Sequence, residues 1–163
     1  MASRAPSFRR DAIATRGADG FTLVELLTVV SILAVLAILA GPAFTELTAQ
    51  QRVQVAATDL FTSLVRARSE AIKQNTDVTL SPPSGTWNAG WVVAIGGSNI
   101  DMHAATPNIA ISGNVSPVIY RNSGRVSGTT PPKFTLSATQ TSLKRCVAVR
   151  LSGEPVVTRA ACP

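Results

Sequence analysis

Residues 20–44 read GFTLVELLTVVSILAVLAILAGPAF, and the rest of the chain is organised around this stretch. Between Phe21 and Phe44 the only charged side chain is Glu25. A helix of about 20 apolar residues is long enough to cross a bilayer. The stretch therefore predicts a membrane-spanning helix over residues 21–44, with a separate domain over residues 45–163.

Glu25 lies near one end of this predicted span. A charged side chain inside the hydrocarbon costs about 3 kcal/mol on insertion scales, so it is normally retained because it has a partner. The alternative is a polar residue that is merely tolerated near the end of a membrane anchor. We interpret Glu25 as a residue that pairs.

The residues before the span suggest the partner. A secretory signal is cut after its apolar region, whereas here the small residue Gly20 precedes it. Cleavage between Gly20 and Phe21 would leave the span attached and place a new amino group one helical turn from Glu25. The two groups could then neutralise each other, within a chain or between neighbours. The alternative is that residues 1–20 remain as a cytoplasmic tail. This hydrophilic segment contains Arg4, Arg9, Arg10 and Arg16.

The junction and the apolar stretch after it resemble a class III prepilin signal, as found in type IV pilins, minor pilins and type II secretion pseudopilins. The resemblance implies that residues 1–20 are a leader that a prepilin peptidase removes, and that Phe21 is then N-methylated. It also implies that Glu25 guides docking among other major and minor pilins or pseudopilins, on an inner-membrane assembly platform.

The distribution of charge predicts the orientation. The formal net charge is +6, and after the arginines of the leader no basic residue occurs before Arg52. Basic residues tend to stay on the cytoplasmic side of a span. We therefore expect a single-pass inner-membrane protein with a cytoplasmic N-terminus and a periplasmic head, which later joins a pilus or pseudopilus.

The helical pattern continues beyond the span. No Gly or Pro occurs between Pro42 and Pro82, and apolar residues recur in alternating steps of three and four, as on one face of an amphipathic helix. We predict one helix from Phe21 to Gln74, whose second half packs on an antiparallel sheet in an α+β head. The apolar stripe consists of Val53, Ala57, Leu60, Leu64, Ala67 and Ala71.

Two further segments narrow the resemblance. LVRARSEAIKQN at residues 64–75 with VTL at 78–80, and GWVV at 90–93, resemble the GspH/FimT group of pseudopilins and minor pilins. In that group the first segment ends the long helix and leads into the first strand. GPAF at residues 41–44 and RARSEAIKQN look closer to type IV pilus minor pilins, although type II secretion pseudopilins share the same domain.

Short apolar runs separated by Gly, Asn, Ser and Pro predict the strands of the head. They lie at residues 78–80, 91–95, 109–111, 118–120 and 134–137. Trp87 and Trp91 are interpreted as packing residues. Residues 98–107 are interpreted as a polar loop in which the single histidine, His103, is exposed and has no partner that would make it catalytic.

The two cysteines, Cys146 and Cys162, lie beyond the span, where an oxidising periplasm allows them to pair. Residues 146–152 and 156–162 predict a C-terminal hairpin around Glu154, the midpoint between the cysteines. Such a hairpin would place the two cysteines opposite each other, close enough for a disulfide.

No motif in the sequence indicates catalysis. A nucleophile elbow, a phosphate loop, HExxH and paired carboxylates are missing, and no Cys/His cluster has metal-ligand spacing. The sequence therefore predicts a structural subunit that is not an enzyme and has no metal or cofactor.

Nucleic-acid binding during DNA uptake is the alternative function. Some members of the GspH/FimT group bind DNA through a Gly-Arg-x-Arg turn, but the comparable turn here is SGEP at residues 152–155, with Glu154 where an arginine would be wanted. Basic patches nonetheless attract phosphate without reading sequence. The candidate contacts are Arg121, Arg125, Lys144, Arg145, Arg150 and Arg159.

Overall fold

The computed structural model describes residues 20–163, apart from the side chains of residues 39, 40 and 42. The predicted leader, residues 1–20, therefore lies outside the described residues except for Gly20. The chain divides into two compact units, one ending at Leu39 and the other spanning Ala40–Pro163. The second unit contains all the strands and is called the head below.

The helix α1 spans Leu23–Gln74, which confirms the predicted helix to within two residues. It ends because Asn75 adopts a positive φ of 52°, a conformation that Asn tolerates better than most residues. The Thr76 amide then donates to the Ala71 carbonyl at 3.2 Å, as expected where the chain leaves a helix.

The predicted membrane span is not recovered as one straight helix. Within the described residues, no single helix is both long and apolar enough to cross a membrane. Taken together as a bent pair, the segments Leu23–Ile38 and Ala43–Gln74 are long and apolar enough to cross a membrane, by length and composition only.

The head contains two antiparallel four-stranded sheets, ordered β3-β2-β1-β5 and β4-β6-β7-β8. A single 3-10 turn, Trp87–Ala89, joins β1 to β2. The strands are β1 (Val78–Ser81), β2 (Gly90–Ile95), β3 (Ser98–Ala104), β4 (Ala110–Gly113), β5 (Val118–Tyr120), β6 (Lys133–Ser137), β7 (Lys144–Val149) and β8 (Pro155–Thr158).

Both sheets bury one face against the second half of α1. Every residue of the predicted apolar stripe is at most 1% exposed. Trp87 and Trp91 are 5% and 1% exposed, so both are packing residues as predicted. The same core takes Tyr120 from the first sheet and Phe134 from the second. The head therefore has one core, to which helix and both sheets contribute.

The prediction of a polar loop at residues 98–107 is wrong, because β3 occupies most of it. Gly96 and Gly97 have φ values of 56° and 86°, so they close a two-residue hairpin in which Ile95 pairs with Ser98. Asp101 and His103 pair with the buried residues Val93 and Trp91, which places both polar side chains on the helix-facing side of β3.

The predicted register of the C-terminal hairpin is also wrong. Val149 pairs with Pro155, so the hairpin is centred on Ser152 rather than Glu154, and Cys146 lies opposite Thr158. The turn closes earlier because the Gly153 amide donates to the Arg150 carbonyl at 2.7 Å.

Cys146 and Cys162 are nevertheless joined by a disulfide, with their Cα atoms 4.9 Å apart. After β8 ends at Thr158, the chain returns across β6, where the Cys162 amide donates to Thr135 Oγ1 at 3.1 Å. The disulfide therefore fixes the C-terminal tail to the outer face of the sheet and does not bridge two paired strand positions.

Candidate functional site

The start of α1 is formed by Thr22 and Glu25. The Glu25 amide donates to Thr22 Oγ1 at 3.2 Å, and the Leu26 amide donates to the Thr22 carbonyl at 3.1 Å. Thr22 is therefore the N-cap, and Thr-x-x-Glu is the spacing of a capping box. The sequence analysis missed this signal, which places Phe21 directly before the cap of the helix.

The apolar surface around this start is open in the single chain. Phe21 is 85% exposed, and Leu23 and Val24 are 73% and 67% exposed. Large apolar side chains remain at least half exposed as far as Ile38. A helix that is apolar on all sides requires surroundings other than water.

The hydroxyl groups of the apolar segment donate hydrogen bonds to backbone carbonyls of the helix itself. Thr28 Oγ1 donates to the Glu25 carbonyl at 2.8 Å, and Ser31 Oγ donates to the Leu27 carbonyl at 2.7 Å. Within residues 20–38, no side-chain hydrogen bond or ion pair engages the Glu25 carboxylate. Glu25 is therefore the one charged group of residues 20–38, and its carboxylate has no partner among them.

His103 is half-buried and has partners in the head, whereas the sequence-based interpretation places it in an exposed loop. Its ring stacks on Trp91, with centroids 4.1 Å apart and planes 6° apart, and its Nε2 lies 3.1 Å from Asp59 Oδ2. The Trp91 indole N–H donates to Ser63 Oγ at 2.9 Å. These contacts fasten β3 to α1, so they are structural.

A second pair of contacts repeats this arrangement seven residues later on α1. Arg66 forms an ion pair with Asp101 at 3.1 Å and donates to the Ile100 carbonyl at 3.3 Å.

Nearby on the helix, the hydrogen bond from Gln74 and the charge of Lys73 lower the pKa of the Glu70 carboxyl. In the part of the chain that the structure describes, no group of His, Cys, Asp and Glu could hold a metal ion.

Three of the six predicted phosphate contacts, Arg121, Arg125 and Arg150, lie where two turns meet near the end of α1. The turn after β5 and the turn between β7 and β8 touch, because the Val126 amide donates to the Leu151 carbonyl at 3.4 Å. Arg150 is held by an ion pair with Glu154 at 2.6 Å. Glu154, which occupies the position where a DNA-binding turn would have an arginine, therefore neutralises the charge of Arg150.

The other three contacts, Lys144, Arg145 and Arg159, lie toward the opposite end of the head. Arg145 Nη2 donates to Gln54 Oε1 at 3.0 Å, whereas Arg68, beside the turns just described, donates to the Ser152 carbonyl at 3.3 Å. Gln54 and Arg68 are separated by about 21 Å along the helix at 1.5 Å per residue. The six basic residues therefore form two groups and not one patch.

Arg68 also lies beside Tyr120 under the two turns. Tyr120 is fully buried, and burial raises the pKa of its phenol, while the charge of Arg68 acts in the opposite direction. Among the described residues, neither the Tyr120 hydroxyl nor Arg68 Nε has a hydrogen-bond partner. This part of the head is a tightly packed joint between α1 and both sheets.

Two family signatures match the chain. The family described as Type II transport protein GspH matches residues 56–153, and the Prokaryotic N-terminal methylation motif matches residues 15–41. No curated protein matches the chain.

Two solved structures share the fold. The type IV minor pilin FimU of Pseudomonas aeruginosa (strain PAO1) is 20% identical with a TM-score of 0.61, over 69% of this chain and 92% of that one. The minor pseudopilin EpsH from the type 2 secretion system of Vibrio cholerae is 11% identical with a TM-score of 0.54, over 66% of this chain and 97% of that one.

Proposed function

The chain belongs to the GspH family of type II transport proteins, and from this membership we propose that it is a minor pilin or pseudopilin, cut after Gly20 and packed through α1 into a filament. Its role is structural rather than enzymatic. Its partners are a prepilin peptidase, other pilins or pseudopilins and the inner-membrane assembly platform.

One observation carries this proposal, namely the arrangement at the start of α1. Thr22 caps the helix through a hydrogen bond from the Glu25 amide, so a chain beginning at Phe21 keeps its helix start intact. The Glu25 carboxylate then lies one turn from the new amino group. In an apolar environment two opposite charges attract far more strongly than in water, which favours pairing between neighbouring subunits.

Before assembly, the apolar half of α1 anchors the protein in the inner membrane, with the head in the periplasm. The disulfide between Cys146 and Cys162 accords with an oxidising compartment. We favour a type IV pilus over a type II secretion system, because GPAF at residues 41–44 and RARSEAIKQN at residues 66–75 are closer to type IV minor pilins.

We predict that the mature protein begins with N-methylated Phe21. The full chain would be expressed in a host with an active prepilin peptidase and purified from membranes, and its N-terminus would be measured by intact-mass and peptide mass spectrometry. A host without the peptidase provides the control and should yield the uncut chain. An N-terminus upstream of Phe21 in the first host would contradict the proposal.

DNA binding is a second candidate, and the meeting of two basic turns at the end of α1 favours it. Arg121 and Arg125 lie in one turn and Arg150 in the other. However, Arg150 is paired with Glu154. We therefore propose at most a weak interaction that depends on phosphate contacts.

We predict that any DNA binding is lost at physiological salt and that Glu154→Arg increases it. The substitution frees Arg150 and adds a cation to the same turn, so the affinity should rise severalfold and fall more steeply with salt concentration. The measurement is a titration of the detergent-solubilised full chain with duplex DNA at two salt concentrations. Lys144→Ala, at the other end of the head, serves as the control. Tight wild-type binding that survives moderate salt and is lost in Arg150→Ala would instead make DNA binding the primary function.

A further inference from the structure

A groove lies between α1 and the edge strand β8. It has a volume of about 190 Å³ and is lined by Gln54, Ala57 and Phe61 of α1 together with Arg145, Val157 and Arg159. Thr58, which also lines it, donates its hydroxyl to the Gln54 carbonyl at 3.0 Å. Because β8 is the last strand of its sheet, no further strand closes this side. We call this feature the α1–β8 groove.

The apolar part of the groove follows from the strand register. Val157 pairs with the buried core residue Val147, so it lies on the helix-facing side of the sheet. Val157 is nevertheless 40% exposed. Together with the half-buried Phe61 it leaves a small apolar floor open in the single chain, above the buried Ala57.

The charged part of the groove is uncompensated. Among the described residues, no carboxylate lies within ion-pair distance of Arg145 or Arg159, as is true of most basic residues of the head but not of Arg66, Lys73 and Arg150. Arg145 is tethered by Gln54, and its Nε is buried without a hydrogen-bond partner. Two arginines that line the same groove without an anion repel each other, and a buried unpaired N–H is costly.

We propose that the α1–β8 groove receives a segment of a neighbouring pilin-like subunit in which a carboxylate adjoins an apolar side chain. The guanidinium groups of Arg145 and Arg159 bind the carboxylate, for which their planar geometry is suited. The apolar side chain packs on Phe61 and Val157. This inference rests on the proposed role as a filament subunit and specifies the chemistry of one partner contact.

The composition of the groove favours a protein over nucleic acid. A phosphate backbone would satisfy the two arginines but would leave the apolar floor in contact with water or with charged oxygens. Phe61 is the one aromatic residue that lines the groove, and it is half-buried against the core, so no row of aromatic faces is available for base stacking. Lys144 lies on the opposite face of β7 from Arg145, so it cannot extend a row of phosphate contacts beside Arg145.

The test places a photo-crosslinking residue, p-benzoylphenylalanine, at Val157 of the full-length protein in cells that assemble the filament. After irradiation, mass spectrometry identifies the crosslinked peptide. We expect a peptide of another pilin-like subunit with an Asp or Glu within a few residues of the crosslink. The double variant Arg145→Glu/Arg159→Glu should lower the crosslink yield by at least about tenfold, which corresponds to about 1.4 kcal/mol.

Three controls complete the experiment. Arg121→Glu/Arg125→Glu changes charge equally at the other end of the head and should leave the yield unchanged. Formation of the disulfide, seen on non-reducing gels, shows that each variant has folded. Replacing the partner's acidic residue with arginine should restore crosslinking to the Arg145→Glu/Arg159→Glu variant.

The possible failures are distinguishable. Crosslinking to nucleic acid or lipid, a partner peptide without an acidic residue, or an unchanged yield after charge reversal would each overturn the groove assignment. So would the absence of any crosslink from protein that is cut before Phe21 and recovered in filaments, and this result would leave the proposed function standing. Protein that is neither cut nor recovered in filaments would refute the proposed function itself.

Discussion

Glu25→Ala should remain in the membrane fraction but disappear from assembled filaments. Removing the only charge between Phe21 and Phe44 makes insertion easier, by up to about 3 kcal/mol at the centre of a span and less near its end. The cap is unaffected, because it uses the Thr22 hydroxyl and the backbone amide of residue 25. Assembly should fail because the carboxylate that pairs with the amino group of a neighbouring Phe21 is missing.

The measurement is the amount of epitope-tagged full-length protein in sheared filaments relative to membranes. Glu25→Gln preserves the size of the side chain and should fail almost as completely, since the charge is lost. Thr22→Ala should weaken the helix start by about 1 kcal/mol but still assemble. Gly20→Val should also be excluded from filaments, yet with the uncut mass. Filament levels of Glu25→Ala equal to those of the wild type would show that Glu25 is only a tolerated polar residue.

The elements that the sequence predicted well are those with local signals. The apolar stripe on α1 repeats with the helical period over almost twenty residues, and the end of the helix coincides with Asn75, which adopts a left-handed conformation. The strand β5 has the bounds that its apolar run predicts, and β6 begins one residue earlier than predicted. Each of these features depends on neighbours in sequence, so a single chain is enough to reveal them.

The misplaced elements had weaker or conflicting signals. β3 contains mostly polar residues because it is an edge strand, and two of them face the helix as partners of α1 rather than solvent. Gly96 and Gly97 are a usable signal for a two-residue hairpin, but the sequence-based prediction ends a strand at residue 95 and places a polar loop at residues 98–107. The register of the C-terminal hairpin was inferred from the symmetry of the cysteines, although the disulfide joins a strand to a tail that has left the sheet.

The long-range contacts of the α1–β8 groove and of the turns near the end of α1 could not be predicted from the sequence. Arg145 and Gln54 are 91 positions apart, and Arg68 and Ser152 are 84 positions apart. The same is true of the two turns near the end of α1, which appear in the sequence as unrelated Gly-containing segments. Their contact depends on how both sheets pack on the helix, which no periodicity encodes.

Gly153→Ala should destabilise the head by about 3 kcal/mol, because it combines backbone strain with overpacking. Gly153 has a φ of 88°, and a Cβ built there would overlap the Gly124 carbonyl oxygen and lie 3.3 Å from Arg68 Nε. The opposing atom is backbone and cannot rotate away. One of the two turns must therefore move, and with it the joint that connects α1 to both sheets.

Gly128→Ala is the matched control, because Gly128 also has a positive φ, 99°, but nothing lies within 4 Å of a Cβ built there. It should cost only the conformational strain, about 1 kcal/mol. Denaturant unfolding of the full chain in detergent can be followed by tryptophan fluorescence, since Trp87 and Trp91 are the two tryptophans of the chain and both are buried in the head. An equal loss of stability in the two variants would mean that backbone strain alone explains the effect. The contact between the two turns would then add nothing to the stability of the head. A larger loss in Gly153→Ala would show that the close contact between the two turns contributes to the stability of the head.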